Sequence, residues 1–259
     1  MTVVSKHAPG TFCWAELATT NQKAATAFYT QLFGWTANES PMPDGSTYTL
    51  LEKDGEQVAA LYQQDPKRTP PGMPPAWLSY LATENADATA AKVKASGGQV
   101  HAEPFDVTDY GRMAVCADNG GATFAVWQAK ANIGIGRTQE PGSLAWVQLN
   151  TPDPGGSAPF YGQVFGWTNR RDPMPQGGEY VTWMQGGQQV GGGMPMPKGA
   201  GPAHWLLYFG SADVDSDAAK AQKLGGKTMV PPMDIPGAGR FAVFTDPQGA
   251  FFAIVKFAR

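Results

Sequence analysis

Apolar positions along this chain change their period in a fixed order. Phe12–Leu17 is a short apolar run rich in strand formers. After the capping cluster Thr19-Thr20-Asn21, Ala24, Ala25, Phe28, Leu32 and Phe33 recur at helical spacing until Gly34 stops them. Tyr48–Glu52 and Gln57–Gln63 follow as two strands, joined by Lys53-Asp54-Gly55-Glu56, whose Asp-Gly pair signals a hairpin turn. Trp77–Ala82 begins the order again. It predicts a strand, then a helix over Ala86–Ser96 stopped by Gly97-Gly98, then strands near Gln99–Ala102, Arg112–Ala117 and Thr123–Gln128. The first half therefore reads as a βαβββ-like module written twice.

The second half repeats the first. Trp14, Phe28, Tyr29, Phe33, Gly34 and Trp35 return as Trp146, Phe160, Tyr161, Phe165, Gly166 and Trp167, each 132 positions later. PAWLSYL (75–81) returns as AHWLLYF (203–209), and Asp106–Val126, with its GR and D-x-x-G-A elements, returns as Asp234–Ile254. Here the separation is 128, so about four residues are missing between the blocks. A period this long exceeds the roughly 20–50 residues of solenoid repeats and predicts two similar domains. Residues 11–130 form the first and 143–257 the second, with 131–142, which holds four Gly or Pro residues, as linker. The class is α+β, with two modules per domain and Pro-rich connectors at Asp65–Pro75 and Met194–Pro202.

Composition narrows the partners. At 42% apolar, the 259 residues can close two cores. The formal net charge is −3 and the 19 Lys and Arg are scattered, which sets aside nucleic acid and anionic membranes. No segment approaches the ~20 apolar residues of a membrane span, and MTVVSKHAPG lacks the apolar run of a signal peptide, so the expected location is cytoplasmic. A monomer or homodimer is expected. Cys13 and Cys116 lie in separate strands and read as buried free thiols.

The opening that closes on F-Y-x-x-x-F-G-W, the Gly-Gly after the second helix and the final D-P-Q-G-A-F-F-A-I-V (246–255) resemble the vicinal oxygen chelate superfamily, which includes glyoxalases, bleomycin-resistance proteins and extradiol dioxygenases. The resemblance covers residues 11–257. The W-x-[EQ]-L, G-R-[MF]-A-V and D-x-x-G-A combination is similar to tandem-domain members labelled glyoxalase-like or hydroxylase-like. It implies curved mixed sheets around a cleft and, in the family at large, a divalent metal held by His and Glu. Here it places those ligand positions on Trp14 and Trp146, on Trp77 and Trp205, within 59–61 and 191–193, and on Ala125 and Ala253. None is a metal ligand, so no metal and no other cofactor is expected. His7, His101 and His204 stand alone, and His204, one residue before Trp205, faces the other side of its strand.

The same resemblance implies that Trp14, Trp77, Trp146 and Trp205 point into the clefts beside Glu16, Ser79, Gln148 and Leu207, with Tyr48 and Tyr180 adding phenols from the second strand. One reading has the indoles filling a core or a domain interface. The other makes them stacking walls for a flat apolar ligand that Glu16 and Gln148 orient. Glu16 is the single acid or base at a cleft position, unless Arg112 or Arg240 of the GR element pairs with it; those arginines are expected to brace loops instead. Met42, Met73, Met174, Met184, Met194 and Met196 fall in or beside Pro/Gly loops, as loop packing or as an adaptable ligand mouth. The expected function is metal-free binding of a planar aromatic metabolite or antibiotic. A metal-independent isomerase, lyase or hydroxylation accessory using Glu16 comes second, and a metal-dependent glyoxalase or dioxygenase third.

Overall fold

The computed structural model describes residues 3–42, 44–67, 69, 72–174, 177–197 and 199–258; the connectors 65–75 and 194–202 fall partly outside them. Four βαβββ modules follow one another. The first runs β1 (Phe12–Thr19), α1 (Gln22–Phe33), β2 (Thr36–Pro41), β3 (Thr47–Lys53) and β4 (Glu56–Gln63). The second is β5 (Ala76–Ala82), α2 (Ala86–Ala95), β6 (Gln99–Val107), β7 (Gly111–Ala117) and β8 (Thr123–Ala129). The third is β9 (Leu144–Thr151), α3 (Ala158–Phe165), β10 (Thr168–Pro173), β11 (Glu179–Gln185) and β12 (Gln188–Pro195). The fourth is β13 (His204–Gly210), α4 (Val214–Lys223), β14 (Lys227–Ile235), β15 (Gly239–Thr245) and β16 (Phe251–Phe257).

Each pair of modules shares one eight-stranded mixed sheet, ordered β2-β3-β4-β1-β5-β8-β7-β6 and β10-β11-β12-β9-β13-β16-β15-β14. The modules join where β1 lies antiparallel to β5, and β9 to β13. Helix ends follow local chemistry. Asn21 caps α1 by accepting from the Ala24 N–H, and Gly34 and Gly166 close α1 and α3 at φ of 71° and 74°, the left-handed region that glycine enters without penalty.

The helix-bearing faces of the two sheets pack against each other. Phe33 meets Phe209 at 5.2 Å between ring centres and Phe28 meets Phe252 at 5.9 Å, while Phe165 and Phe160 meet Phe124 at 5.8 and 6.3 Å. Trp35 donates to the Gly142 carbonyl at 2.7 Å, and Trp167 donates to that of Gly10 at 2.8 Å. One apolar core consequently runs through both domains. The Asp of each D-x-x-G-A turn completes the joint. Asp118 accepts from the Gly120 and Ala122 N–H groups and from the Tyr161 hydroxyl at 2.8 Å; Asp246 accepts from Gln248, Ala250 and, at 3.1 Å, Tyr29. The repeated F-Y and D-x-x-G-A motifs thus tie each domain to the other.

Candidate functional site

With the helix faces consumed by the domain joint, the opposite face of each sheet carries the remaining candidate residues. On the first sheet, β1 pairs with β4 at Glu16↔Ala60 and Ala18↔Tyr62, and with β5 at Glu16↔Leu78 and Trp14↔Tyr80. Further pairs, Tyr48↔Tyr62 between β3 and β4 and Tyr80↔Ala125 between β5 and β8, extend the same face. Trp14, Glu16, Tyr48, Tyr62, Leu78, Tyr80, Ala125 and Trp127 therefore share one surface, because side chains alternate along a strand. The Trp14 indole donates to the Tyr48 hydroxyl at 3.3 Å, and Tyr80 and Tyr48 both hydrogen-bond the Glu16 carboxylate. Burial raises the Glu16 pKa against the lowering effect of the two phenols. Burial first, then the Glu16 charge, raises Tyr48 and Tyr80 well above the ordinary phenol value.

The second sheet repeats the arrangement with neutral groups. Trp146 donates to Tyr180 at 3.0 Å, and Tyr180 donates to the Gln148 side-chain oxygen at 3.3 Å. Tyr208, the counterpart of Tyr80, also hydrogen-bonds Gln148. Gln148 Nε2 donates to Asn150 at 2.9 Å and lies 3.6 Å from the Met194 sulfur; Asn150 in turn meets His204 Nε2 at 3.3 Å. Gly192, opposite Gln148 on β12, lets the Tyr180 hydroxyl and the Trp146 indole nitrogen close over it, where a Cβ would make the Tyr180 side chain shift; the first sheet has Ala60 at the equivalent place. Leu206, Tyr208, Val243, Ala253 and Val255 form an apolar floor separate from the main core, with Trp146 and Phe241 against it.

The register corrects part of the sequence reading. Trp77 lies opposite Leu17, on the helix side, where it donates to the Tyr29 hydroxyl at 3.0 Å and packs edge-on against Phe209 at 5.2 Å. Trp205 likewise packs on Phe12 and Tyr161 at 5.2 and 5.6 Å. Ser79 and Leu207 share that inner face, opposite Ala15 and Val147. Core and interface therefore describe Trp77 and Trp205, whereas Trp14, buried to the same 7% exposure as Trp77, and the half-buried Trp146 lie on the opposite face with Tyr48, Tyr180, Glu16 and Gln148. The positions facing outward on β5 and β13 are Leu78, Tyr80, Leu206 and Tyr208. The recurring Tyr of PAWLSYL and AHWLLYF was the signal for Tyr80 and Tyr208, but it is legible only once the strand register is known.

Arg112 and Arg240 stay away from Glu16. Each clamps the first turn of its own module's helix, Arg112 on Asp87 at 2.7 and 2.8 Å and Arg240 on Asp215 at 2.8 Å through both nitrogens, with Asp106 and Asp234 alongside. Met194 reaches the second cleft; Met42 and Met73 are exposed. Cys13 and Cys116 are buried and free, and burial pushes the Cys116 thiol up to about 12. Of two cavities of about 250 and 310 Å³, one is lined by Lys6, His7, Trp146 and Gln188, the other by Glu56, Tyr110 and Asn132. No described helix is long and apolar enough to cross a membrane.

A divalent metal does not fit this donor set. The cleft-facing residues at the superfamily's ligand positions are Trp14, Ala60, Leu78 and Ala125 in one sheet and Trp146, Gly192, Leu206 and Ala253 in the other. Among the described residues no group of three or more His, Cys, Asp or Glu side chains converges.

The family model of the Glyoxalase/Bleomycin resistance protein/Dioxygenase superfamily matches residues 11–126 and again 143–254. The chain is 42% identical over 253 residues to the putative glyoxylase CFP32 of Mycobacterium bovis, covering 97% of each. It is 38% identical over 267 residues to the anthracycline biosynthesis protein DnrV of Streptomyces peucetius, covering 98% of this chain and 95% of that one. The Mn(II)-bound glyoxalase from Novosphingobium aromaticivorans superposes with a TM-score of 0.67 at 17% identity, over 95% of this chain and 82% of that one, a likeness of fold.

Proposed function

This chain belongs to the Glyoxalase/Bleomycin resistance protein/Dioxygenase superfamily, and from that premise we propose that it binds a planar aromatic small molecule in its tryptophan- and tyrosine-lined clefts without a metal ion. The observation that carries the reading is the outward face itself. In each sheet an indole donates to a phenol, and that phenol donates to a polar side chain on the central strand, where a metal site would need His and Glu. Apolar walls with a few placed polar groups suit a flat ligand that stacks while one edge is hydrogen-bonded. The relative named for anthracycline biosynthesis agrees with a fused-ring ligand.

Tryptophan fluorescence against planar aromatic compounds tests this. Trp14→Ala should weaken binding by roughly 1–3 kcal/mol through lost stacking area. Trp77→Ala should leave the affinity of folded protein unchanged and instead destabilise it by about 3–5 kcal/mol, as loss of a buried Trp does. Equal loss of affinity in both variants would contradict the assignment of faces. Added Ni²⁺, Zn²⁺ or Fe²⁺ should confer no glyoxalase or ring-cleaving activity.

A second reading has one observation in its favour. Glu16 combines a raised pKa with two phenol partners in a cleft, the setting of a general acid or base. On that reading Glu16→Gln cuts turnover of a metal-independent reaction by about 10²-fold or more, and a smaller change removes it.

A further inference from the structure

Three phenols face the first cleft, and two of them have their protons committed. Tyr48 and Tyr80 hydrogen-bond the Glu16 carboxylate, and Tyr48 also accepts from Trp14. Tyr62 differs. It pairs across the ladder with Tyr48 on one side and Ala18 on the other, one strand from Glu16, and is partly exposed. Its hydroxyl has no hydrogen-bond partner among the described residues. Burial, and secondarily the Glu16 charge, raise its pKa to about 12, so the proton stays on the oxygen at neutral pH. That hydroxyl is open to solvent, so water takes its hydrogen bond in the free protein, and an acceptor on a ligand entering the cleft would replace that water.

The second cleft lacks this donor. Position 194, which corresponds to 62 at the 132-residue offset, is methionine, and its sulfur lies against Gln148. The second cleft's phenols, Tyr180 and Tyr208, both hydrogen-bond Gln148. Besides Glu16 against Gln148, the two clefts therefore differ in the hydroxyl that position 62 offers and position 194 does not.

We infer that Tyr62 is the ligand-facing hydroxyl of the first cleft, and that this cleft selects a planar aromatic carbonyl compound whose oxygen accepts from Tyr62, while the second cleft makes no such selection. The inference rests on the proposed binding role of the clefts. A neutral carbonyl is the class of acceptor that fits. A carboxylate or phenolate would instead have to give up its water shell against the apolar rings of this face.

The test uses a matched pair of planar tricycles, 9-fluorenone and fluorene, which differ by a carbonyl in place of a methylene. Dissociation constants are measured for the full chain and for Tyr62→Phe, Tyr62→Met and Trp14→Ala. A neutral hydrogen bond of about 0.5–1.5 kcal/mol corresponds to roughly 2–12-fold in affinity. Tyr62→Phe and Tyr62→Met should weaken fluorenone by that factor, leave fluorene unchanged and remove the preference at one site per chain. If fluorene binds in a Trp14-dependent way but neither Tyr62 variant alters the fluorenone-to-fluorene ratio, the carbonyl assignment is overturned and the cleft reading stands. Saturable binding of neither probe overturns both.

Discussion

Glu16 and Gln148 occupy the same place in the two sheets, yet only one of them titrates. Each is hydrogen-bonded to a phenol on the hairpin and a phenol on the central strand of the next module, so the second domain demonstrates that an amide fits where the first keeps a carboxylate. Because burial raises the Glu16 pKa in the folded state, the fold binds its proton more tightly than the unfolded chain does. Stability from this group is then fully present below the unfolded carboxylate value and is lost as pH rises through the folded one. Glu16→Gln should therefore unfold at a higher temperature than the parent at pH 8, with the gap closing as pH falls to about 4, the unperturbed value of Glu. Thermal melts across that range check it; a gap that is constant with pH, or that widens toward acid, would show that Glu16 does not carry a raised pKa. At this scale the expectation that Trp14, Glu16, Tyr48 and their repeats share one face of each sheet agrees with the strand register, but the same expectation misplaced Trp77, Trp205 and Ser79. A strand alternates with period two, so an error of one residue in locating the facing position sends every side chain of β5 and β13 to the wrong side.

Among the elements, the central strands and helices were readable because their apolar faces are buried in the joint core, whereas of the first sheet's edge strands β2 was missed and β6 was read only over its first residues. β2 is exposed along its whole length, and β6 and β14 run through Pro104, Pro231 and Pro232, which edge strands accommodate because one row of N–H groups needs no partner. The Gly-Gly after α2 and α4 reads in the sequence as a helix stop, and in the structure it has a second use. A Cβ on Gly98 would sit 2.7 Å from a ring carbon of Phe160 in the other domain and also press on the Ala117 carbonyl, whereas on Gly226 it would meet Phe28 at 3.3 Å. Gly98→Ala should accordingly cost about 1–3 kcal/mol, as overpacking does, and Gly226→Ala distinctly less. Denaturant titration of the two variants decides this, and equal costs would mean that the phenylalanines move aside at both sites.

For the whole molecule, the tandem repeat foretold two domains but not how they meet, because a duplication says nothing about which faces are shared. The contacts make the joint reciprocal: α1 and α3 each insert a Phe-Tyr pair against the other domain, Tyr29 reaching Asp246 and Tyr161 reaching Asp118. Chains of two domains commonly unfold in separate steps. Here the core of each half is completed by aromatic rings from the other, so neither half has a closed core alone, and a single transition is expected. Hydrogen exchange followed separately in β1 and β9 should give coincident midpoints in denaturant. Tyr161→Phe removes the only side-chain donor to Asp118 among the described residues, a buried carboxylate whose other described partners are backbone N–H groups of its own turn. Its cost of about 1–3 kcal/mol should appear equally in both halves, although the altered residue belongs to the second. Two separate midpoints, or a loss confined to one half, would show that the domains fold independently and that the joint is a contact rather than a shared core. That outcome would also bear on the clefts, since Trp14 and Glu16 stand on the strand whose reverse face this joint buries.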